Sequence, residues 1–372
     1  MQSLDNNTQA FLALVRAGLW EQDVRLLPYG DIEWQEVYRL ATEQSVLGLI
    51  LAGLEHSEVK PPKELLLEWI GEVQMIEQRN KAMNGFVSEL IERLRKEDIS
   101  CVLVKGQGVA QCYEKPLLRS CGDIDLLLDD ENYHKAKDYL TPFSSKIEVE
   151  DFYKKHFAMT INSWEVELHG TLRCGLWRKV EKTLDSIQTS IFYEKRFRTW
   201  IVGGAQVPLP YPDEDIVYVF SHILQHFFKE GVGLRQICDW SRLLWTYKDS
   251  INHGLLYSRI CSMGCLTEWK AFAALSLNYL GMSTDAIPFY SRSHMWSRKA
   301  NRILTFILET GNFGHKRDYS QYKTLSYFKY KVNTFCRHTM DSIEYFFIFP
   351  IDAIKLWLFM VKEGVIYVAR GK

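Results

Sequence analysis

The sequence is short of the features that identify a chain at once. It has no surplus of charge: 45 Lys and Arg face 46 Asp and Glu, a formal net charge of −1. No overall field therefore draws it to a polynucleotide, and no nucleic-acid partner is indicated. It has no disulfide framework, because its eight cysteines are scattered singly, and a reduced, cytoplasmic setting is expected. Cys101, Cys112, Cys121 and Cys238 lie in apolar stretches and read as small buried hydrophobes. Cys261 and Cys265 are four apart on an expected helix but lack the partner ligands of a zinc site. No basic segment followed by an apolar run opens the chain, so no secretory leader is expected. The apolar segment 345–369 is interrupted by Pro350, Asp352, Lys355, Lys362 and Glu363. That argues against a spanning helix and for a packed amphipathic one, with weak membrane-surface contact through residues 345–369 as the sharper alternative. Internal repeats and low-complexity segments are absent as well.

What is present is ordinary in bulk and specific in one place. At 372 residues, 47% hydrophobic and 24% charged, the chain is a globular protein with room for two or three domains. Residues 1–97 read as successive helices, the longest starting after Pro61-Pro62 and keeping helical spacing to Leu94. The period changes at Asp98. Strands are expected over Ile99–Val104 and Asp123–Leu128, with helices at 106–113 and 131–140. Phe157–Ile161 and Trp164–Leu168 flank Asn162-Ser163 as a hairpin. Pro208, Pro210 and Pro212 read as a stiff connector to a second helical region. The expected fold is α+β: a small mixed sheet over residues 98–212, flanked by helical regions 1–97 and 213–372.

The specific place is Gly122-Asp123-Ile124-Asp125-Leu126-Leu127-Leu128. Two carboxylates two residues apart on an apolar strand point to one face. Such a pair is costly unless a positive charge sits between the oxygens. A hard divalent cation is the usual answer, and Mg²⁺ is typically held by one or two carboxylates plus substrate phosphates. A third acid belongs on a neighbouring strand. Glu167, in Val166-Glu167-Leu168-His169, has the apolar setting of such a strand, and Glu165 and His169 share its face. Gly106 at a strand-to-helix junction would let backbone N–H groups approach a phosphate, with Lys105 and Arg119 supplying positive charge. Each part has a plainer reading: a solvated strand end for the aspartates, a loop for Lys105-Gly106. His222 and His226, four apart, have no evident third ligand. Arg235 and Asp239, also four apart, read first as a structural ion pair, with a substrate-facing Arg235 or His226 as the alternative.

Val104-Lys105-Gly106, then Arg119 with Asp123-Ile124-Asp125, then Val166-Glu167-Leu168-His169, and finally Gly233-Leu234-Arg235 with Asp239 resemble the nucleotidyltransferase superfamily. This includes the polymerase beta-like and the aminoglycoside and lincosamide nucleotidyltransferases. More narrowly they resemble the uncharacterised nucleotidyltransferase family of bacterial polysaccharide gene clusters. The resemblance implies Asp123, Asp125 and Glu167 as catalytic and Mg²⁺-binding residues, for one or two ions, with Glu167 as a candidate base. It also implies Gly106 against the triphosphate. One departure stands out: the superfamily usually has Gly-Ser or Gly-Gly after its first strand, and this chain has Gly106-Gln107 behind Lys105. The expected activity is Mg²⁺-dependent transfer of a nucleoside monophosphate from an NTP donor to a hydroxyl of a small-molecule acceptor, a sugar or glycan intermediate by family context. The alternatives are a ligand- or partner-binding module without turnover and an enzyme that adds AMP to protein side chains. The carry-over of roles to Arg235, Asp239, His222 and His226 stays open.

Overall fold

Four helices, α1 (Asn6–Trp20), α2 (Trp34–Glu43), α3 (Leu47–Glu55) and α4 (Lys63–Lys96), fill the first ninety-odd residues of this computed structural model, which describes residues 4–152, 154–229, 231–312, 339–340 and 342–369. Their boundaries follow local chemistry. The Asp5 carboxylate caps α1 by accepting from the Thr8 N–H at 2.9 Å, and α4 starts directly after Pro61-Pro62. Helices α1 and α3 touch backbone to backbone. A Cβ on Gly18 would lie 1.9 Å from the Leu49 carbonyl oxygen, and one on Gly53 would lie 2.2 Å from that of Leu14.

The sheet is mixed, as expected, with five strands: β1 (Val102–Val104), β2 (Asp123–Leu127), β3 (Lys146–Ile147), β4 (His156–Ile161) and β5 (Trp164–His169). Their order is β1-β2-β5-β4-β3. β2 and β5 run parallel, and every other pair is antiparallel. Asn162 and Ser163 both take positive φ, 49° and 69°, the conformation of a tight two-residue hairpin turn. α5 (Gly106–Ala110) follows β1, α6 (Asp130–Leu140) follows β2, and α7 (Arg178–Tyr193) follows β5. One face of the sheet, with Ile124, Leu126, Val166 and Leu168, packs under the second half of α4 and under α6. The opposite face carries Asp123, Asp125 and Glu167 toward the helices that follow.

The proline-rich connector is a correction. Pro208 and Pro210 lie within a strand, β7 (Ala205–Pro210), which pairs with β6 (Phe197–Val202) in a two-stranded antiparallel ribbon. The two prolines share parity, so both missing N–H groups fall on the edge facing away from β6, where no ladder bond is lost. The turn is Gly203-Gly204, both at positive φ. Arg196 and Arg198 tie the ribbon to the first turn of α8 (Pro212–Lys229), pairing with Asp213 at 2.8 Å and Asp215 at 3.0 Å.

Beyond α8 come α9 (Leu234–Tyr247), α10 (His253–Met263), α11 (Leu266–Leu280), α12 (His294–Thr310) and α13 (Pro350–Ala369). They share a core with α1 to α3, in which Trp240, Trp269, Phe220 and Phe272 are fully buried. Residues 342–349 add Tyr345 and Phe349 to that core while Phe346 and Phe347 face outward, followed by Ile351 and Ile354. Among the described residues no helix is long and apolar enough to cross a membrane. Cys261 is exposed and Cys265 buried, and neither joins a group that could hold a metal among the described residues. Cys101, Cys112 and Cys238 are buried and Cys121 is half-buried.

The α1–α3 contact generates the first prediction. Gly18→Ala should destabilise the chain by at least about 2 kcal/mol, the scale of an overpacked core, because its Cβ would meet carbonyl backbone that cannot turn aside. A denaturant midpoint equal to wild type would refute it.

Candidate active site

Parallel pairing of β2 with β5 sets Asp123 opposite Glu165, and Asp125 opposite Glu167. Residues directly opposite in register point to the same face. Asp123, Asp125 and Glu167 therefore converge, and one carboxylate oxygen from each lies within 4.8 Å of the others. Glu165 is exposed at the strand's start. The hairpin turn fixes the rest: with Ile161 opposite Trp164, His156 must face His169.

Each carboxylate is treated differently. Asp125, 1% exposed, is ion-paired with Lys105 Nζ at 2.6 Å and lies 2.7 Å from His169 Nε2, both on Oδ1. Glu167 meets His156 Nε2 at 2.9 Å and His169 Nε2 at 3.4 Å. Burial pushes its pKa up, but the two imidazoles outweigh that and hold it well below the usual carboxylate range. Burial likewise presses His169 down, and its bonds to Asp125 and Glu167 more than reverse this, so its pKa is raised. The Asp123 carboxylate has no hydrogen bond or ion pair among the described residues. Its pKa is pushed up to about 6, first by the charge of Asp125 and then by burial.

Lys105 reaches Asp125 from a strained backbone, with φ 55° and ψ −143°, a region costing about 1–3 kcal/mol for a residue with a side chain. Gly106 follows at φ +38°. The glycine serves conformation here, since a Cβ would meet Cys121 Sγ at 3.3 Å rather than open space. Burial disfavours the Lys105 charge, but Asp125 prevails and raises its pKa.

The two arginines divide their roles in a way that spacing did not indicate. Arg119, expected at the phosphates, grips Asp239 with Nε on Oδ1 and Nη2 on Oδ2, both at 2.7 Å, while Tyr113 Oη donates to the same Oδ1 at 2.6 Å. Both partners are buried. The ion pair read between Arg235 and Asp239 is thus made by Arg119 instead. Arg235 donates Nη1 to the Ser120 carbonyl at 2.6 Å and leaves its buried Nε without a partner. Lys105, Gly106, Asp123, Asp125, His222 and Arg235 line one small cavity of about 50 Å³. His222 and His226 place their Nε2 atoms 3.0 Å apart, and they form no three-ligand group with other residues among those described. Burial, then Lys105, press the His222 pKa well down.

Several residues around the acids were missed from sequence. His156 was legible through the hairpin register. Tyr113 carried no local signal, nor did Asn80, whose Nδ2 donates to the carbonyls of Leu117 and Arg119 at 2.7 and 2.8 Å. Gln107 Nε2 bonds Asn80 Oδ1 at 2.9 Å, which gives the unusual Gln107 a structural place.

The family whose model matches this chain is described as "Uncharacterised nucleotidyltransferase", and the match runs over residues 30–280, more than half of the chain. Among solved structures the chain is similar to an antigenic nucleotidyltransferase-like protein from Paracoccidioides brasiliensis. The identity is 16% over 56% of this chain and 94% of that one, with a TM-score of 0.34. No curated protein matches.

A pH-dependent prediction follows from Asp123. Its pKa is higher folded than unfolded, so ionisation costs stability: the cost is absent below about pH 4 and complete above about pH 6. Asp123→Asn should stabilise the metal-free protein at pH 8 by at most about 3 kcal/mol, read as a higher melting temperature, and change little at pH 4. Thermal melts at both pH values test this, and equal shifts at the two would contradict it.

Proposed function

The chain belongs to the uncharacterised nucleotidyltransferase family, and from that premise we propose that it transfers a nucleoside monophosphate from an NTP to a hydroxyl of a small acceptor. Asp123, Asp125 and Glu167 are proposed to hold Mg²⁺, as one ion or two. The observation that carries this reading is the Asp123 carboxylate. It lies beside two other acids whose oxygens are within 4.8 Å, and among the described residues it makes no hydrogen bond or ion pair of its own. An all-oxygen donor set on a rigid strand pair suits a hard cation. Bound there, Mg²⁺ would polarise the phosphate under attack and offset its developing charge.

The protein's own part is orientation and charge. The acceptor hydroxyl oxygen attacks the α-phosphorus and gives up its proton to solvent, the bond to the bridging oxygen breaks, and pyrophosphate leaves. Lys105 and Gly106, at the junction of β1 and α5, are proposed to face the phosphates. Glu167 is proposed as a ligand more than as a base. Two imidazoles keep it ionised, and a carboxylate so stabilised is a weak proton acceptor. A sugar or glycan acceptor rests on the resemblance of the motifs alone.

One observation favours the alternative of binding without turnover. The half-buried Lys105 ammonium sits 2.6 Å from Asp125 Oδ1 and supplies positive charge of the kind a cation would bring. Calorimetry separates the two. With Mg²⁺ present, at least one of ATP, GTP, CTP and UTP should bind, and Asp123→Ala/Asp125→Ala should weaken it by more than about 100-fold. The bound nucleotide, labelled at its α-phosphate, should then pass label to an acceptor. A folded wild type that binds none of the four, or binds without regard to Mg²⁺ and the aspartates, would sink the transferase reading.

Contact of residues 345–369 with a membrane surface is a separate proposal, supported by outward-facing Phe346, Phe347, Ile351 and Ile354. In liposome flotation Phe347→Ser/Ile351→Ser should float less than wild type, and equal flotation would count against it.

A further inference from the structure

Three cations stand around the small cavity beside the acids: Lys105, Arg119 and Arg235. Two are already engaged. Lys105 is on Asp125 at 2.6 Å, and Arg119 holds both oxygens of Asp239. Asp239, the natural partner of Arg235 at four residues' spacing, is saturated by Arg119 and Tyr113. Arg235 keeps a buried Nε with no acceptor, and among the described residues it makes no ion pair. A guanidinium left in this state lacks its usual compensation, since a buried N–H donor without an acceptor is costly.

Arg235 is also held in place. It sits in the first turn of α9, where the Leu234 N–H donates to Gln44 Oε1 at 2.9 Å and Gln236 Nε2 donates to Asn312 Oδ1 at 3.0 Å. Gln44 is fully buried and returns a bond to the Ile307 carbonyl. Asn312 also donates to Ser45 Oγ at 2.9 Å, and a Cβ on Gly233 would collide with Asn312 Oδ1 at 2.7 Å. The segment after α12 thus gains a role through Asn312. Ser120 fixes Nη1, so the guanidinium is aimed before any ligand arrives.

The cavity's size narrows what it takes. About 50 Å³ is room for roughly four water molecules, which is the scale of a phosphoryl group. Resting on the reading of a metal-dependent nucleotidyltransferase, we propose that Arg235 binds the terminal phosphates of the donor, and afterwards the pyrophosphate that leaves, through its guanidinium. Arg119 is then a structural residue that relieves Arg235 of Asp239. Burial and the Arg119 charge both press against the charged state of Arg235, so an arriving anion meets a cation that is poorly compensated.

The test uses the whole chain and inorganic pyrophosphate with Mg²⁺ as the probe, followed by calorimetry. Arg235→Ala should weaken pyrophosphate about 10- to 100-fold, the range for losing a charge-assisted pair of hydrogen bonds. Arg235→Lys should recover part of this, because it restores charge but not the planar fork. Mn²⁺ binding, followed by its EPR signal, should be equal in wild type and Arg235→Ala, and should be lost in Asp123→Ala/Asp125→Ala. Pyrophosphate affinity unchanged in a folded Arg235→Ala, or absent from wild type that still binds Mn²⁺, overturns the proposal and leaves the metal reading intact. Arg235-dependent pyrophosphate binding with no aspartate-dependent Mn²⁺ binding does the reverse: the anion site stands and the metal reading fails.

Discussion

Three carboxylates held within 4.8 Å of one another at the end of a buried sheet are the constraint around which the rest of the molecule is arranged. Like charges at that distance repel strongly where water is scarce. The chain answers two of the three. Asp125 receives Lys105 and His169, and Glu167 receives His156 and His169. Those answers explain otherwise odd features, including a lysine in a backbone conformation suited to glycine and two histidines facing each other across a hairpin. Asp123 is left without such an answer. A fold selected for stability alone would not keep that charge, and its persistence beside two satisfied neighbours is what makes the end of β2 a site instead of a well-neutralised strand.

The helices around the sheet act as its frame. The loop between α5 and β2 carries Arg119, and three separate elements hold it. A Cβ on Gly48 of α3 would lie 2.0 Å from the Leu118 carbonyl oxygen, Asn80 of α4 bonds the carbonyls of Leu117 and Arg119, and Asp239 of α9 grips the guanidinium. N-terminal helices, sheet and C-terminal helices therefore meet at one loop. Breaking a buried ion pair of this kind by removing one partner is costly, because the remaining charge is stranded. The pair lends little net stability by itself. What it provides is registration, fixing α9 against the sheet so that Arg235, one turn earlier, faces the same cavity as Asp123 and Asp125.

Much of this was legible in the sequence, for local reasons. Asp123-Ile124-Asp125 on an apolar strand is a pattern of period two, and period two alone puts both acids on one face. Asn162-Ser163 between two apolar runs is a turn signal, and it carried the hairpin. The same turn also fixed His156 opposite His169, an inference available by counting outward from the turn but not drawn. Gly203-Gly204 between alternating segments was an equally good signal, and Pro208 and Pro210 masked it, because the parity that makes two strand prolines harmless is evident only once the partner strand is known. The arginines were harder. Spacing of four is a necessary condition for a helical ion pair and says nothing about competitors. Arg119 lies 120 residues from Asp239 in sequence, and only the three-dimensional meeting of loop and helix decides which arginine the aspartate takes.

That competition also bears on the odd Lys105-Gly106-Gln107 sequence. Where the resemblance would place a small residue after the glycine to contact phosphate, this chain turns Gln107 inward to Asn80, and the amide braces α4 against the loop. The positive charge facing the donor's phosphates must then come from elsewhere. Of the cations at the cavity, Lys105 is bound to Asp125 and Arg119 to Asp239, and both are held by neighbours that raise their pKa. Arg235 alone among these three has a buried donor still open. On the proposed reading, the first turn of α9 adds a phosphate contact to those of Lys105 and Gly106 around the same cavity. The loss of one contact and the liberation of the other are then two sides of a single rearrangement of charge.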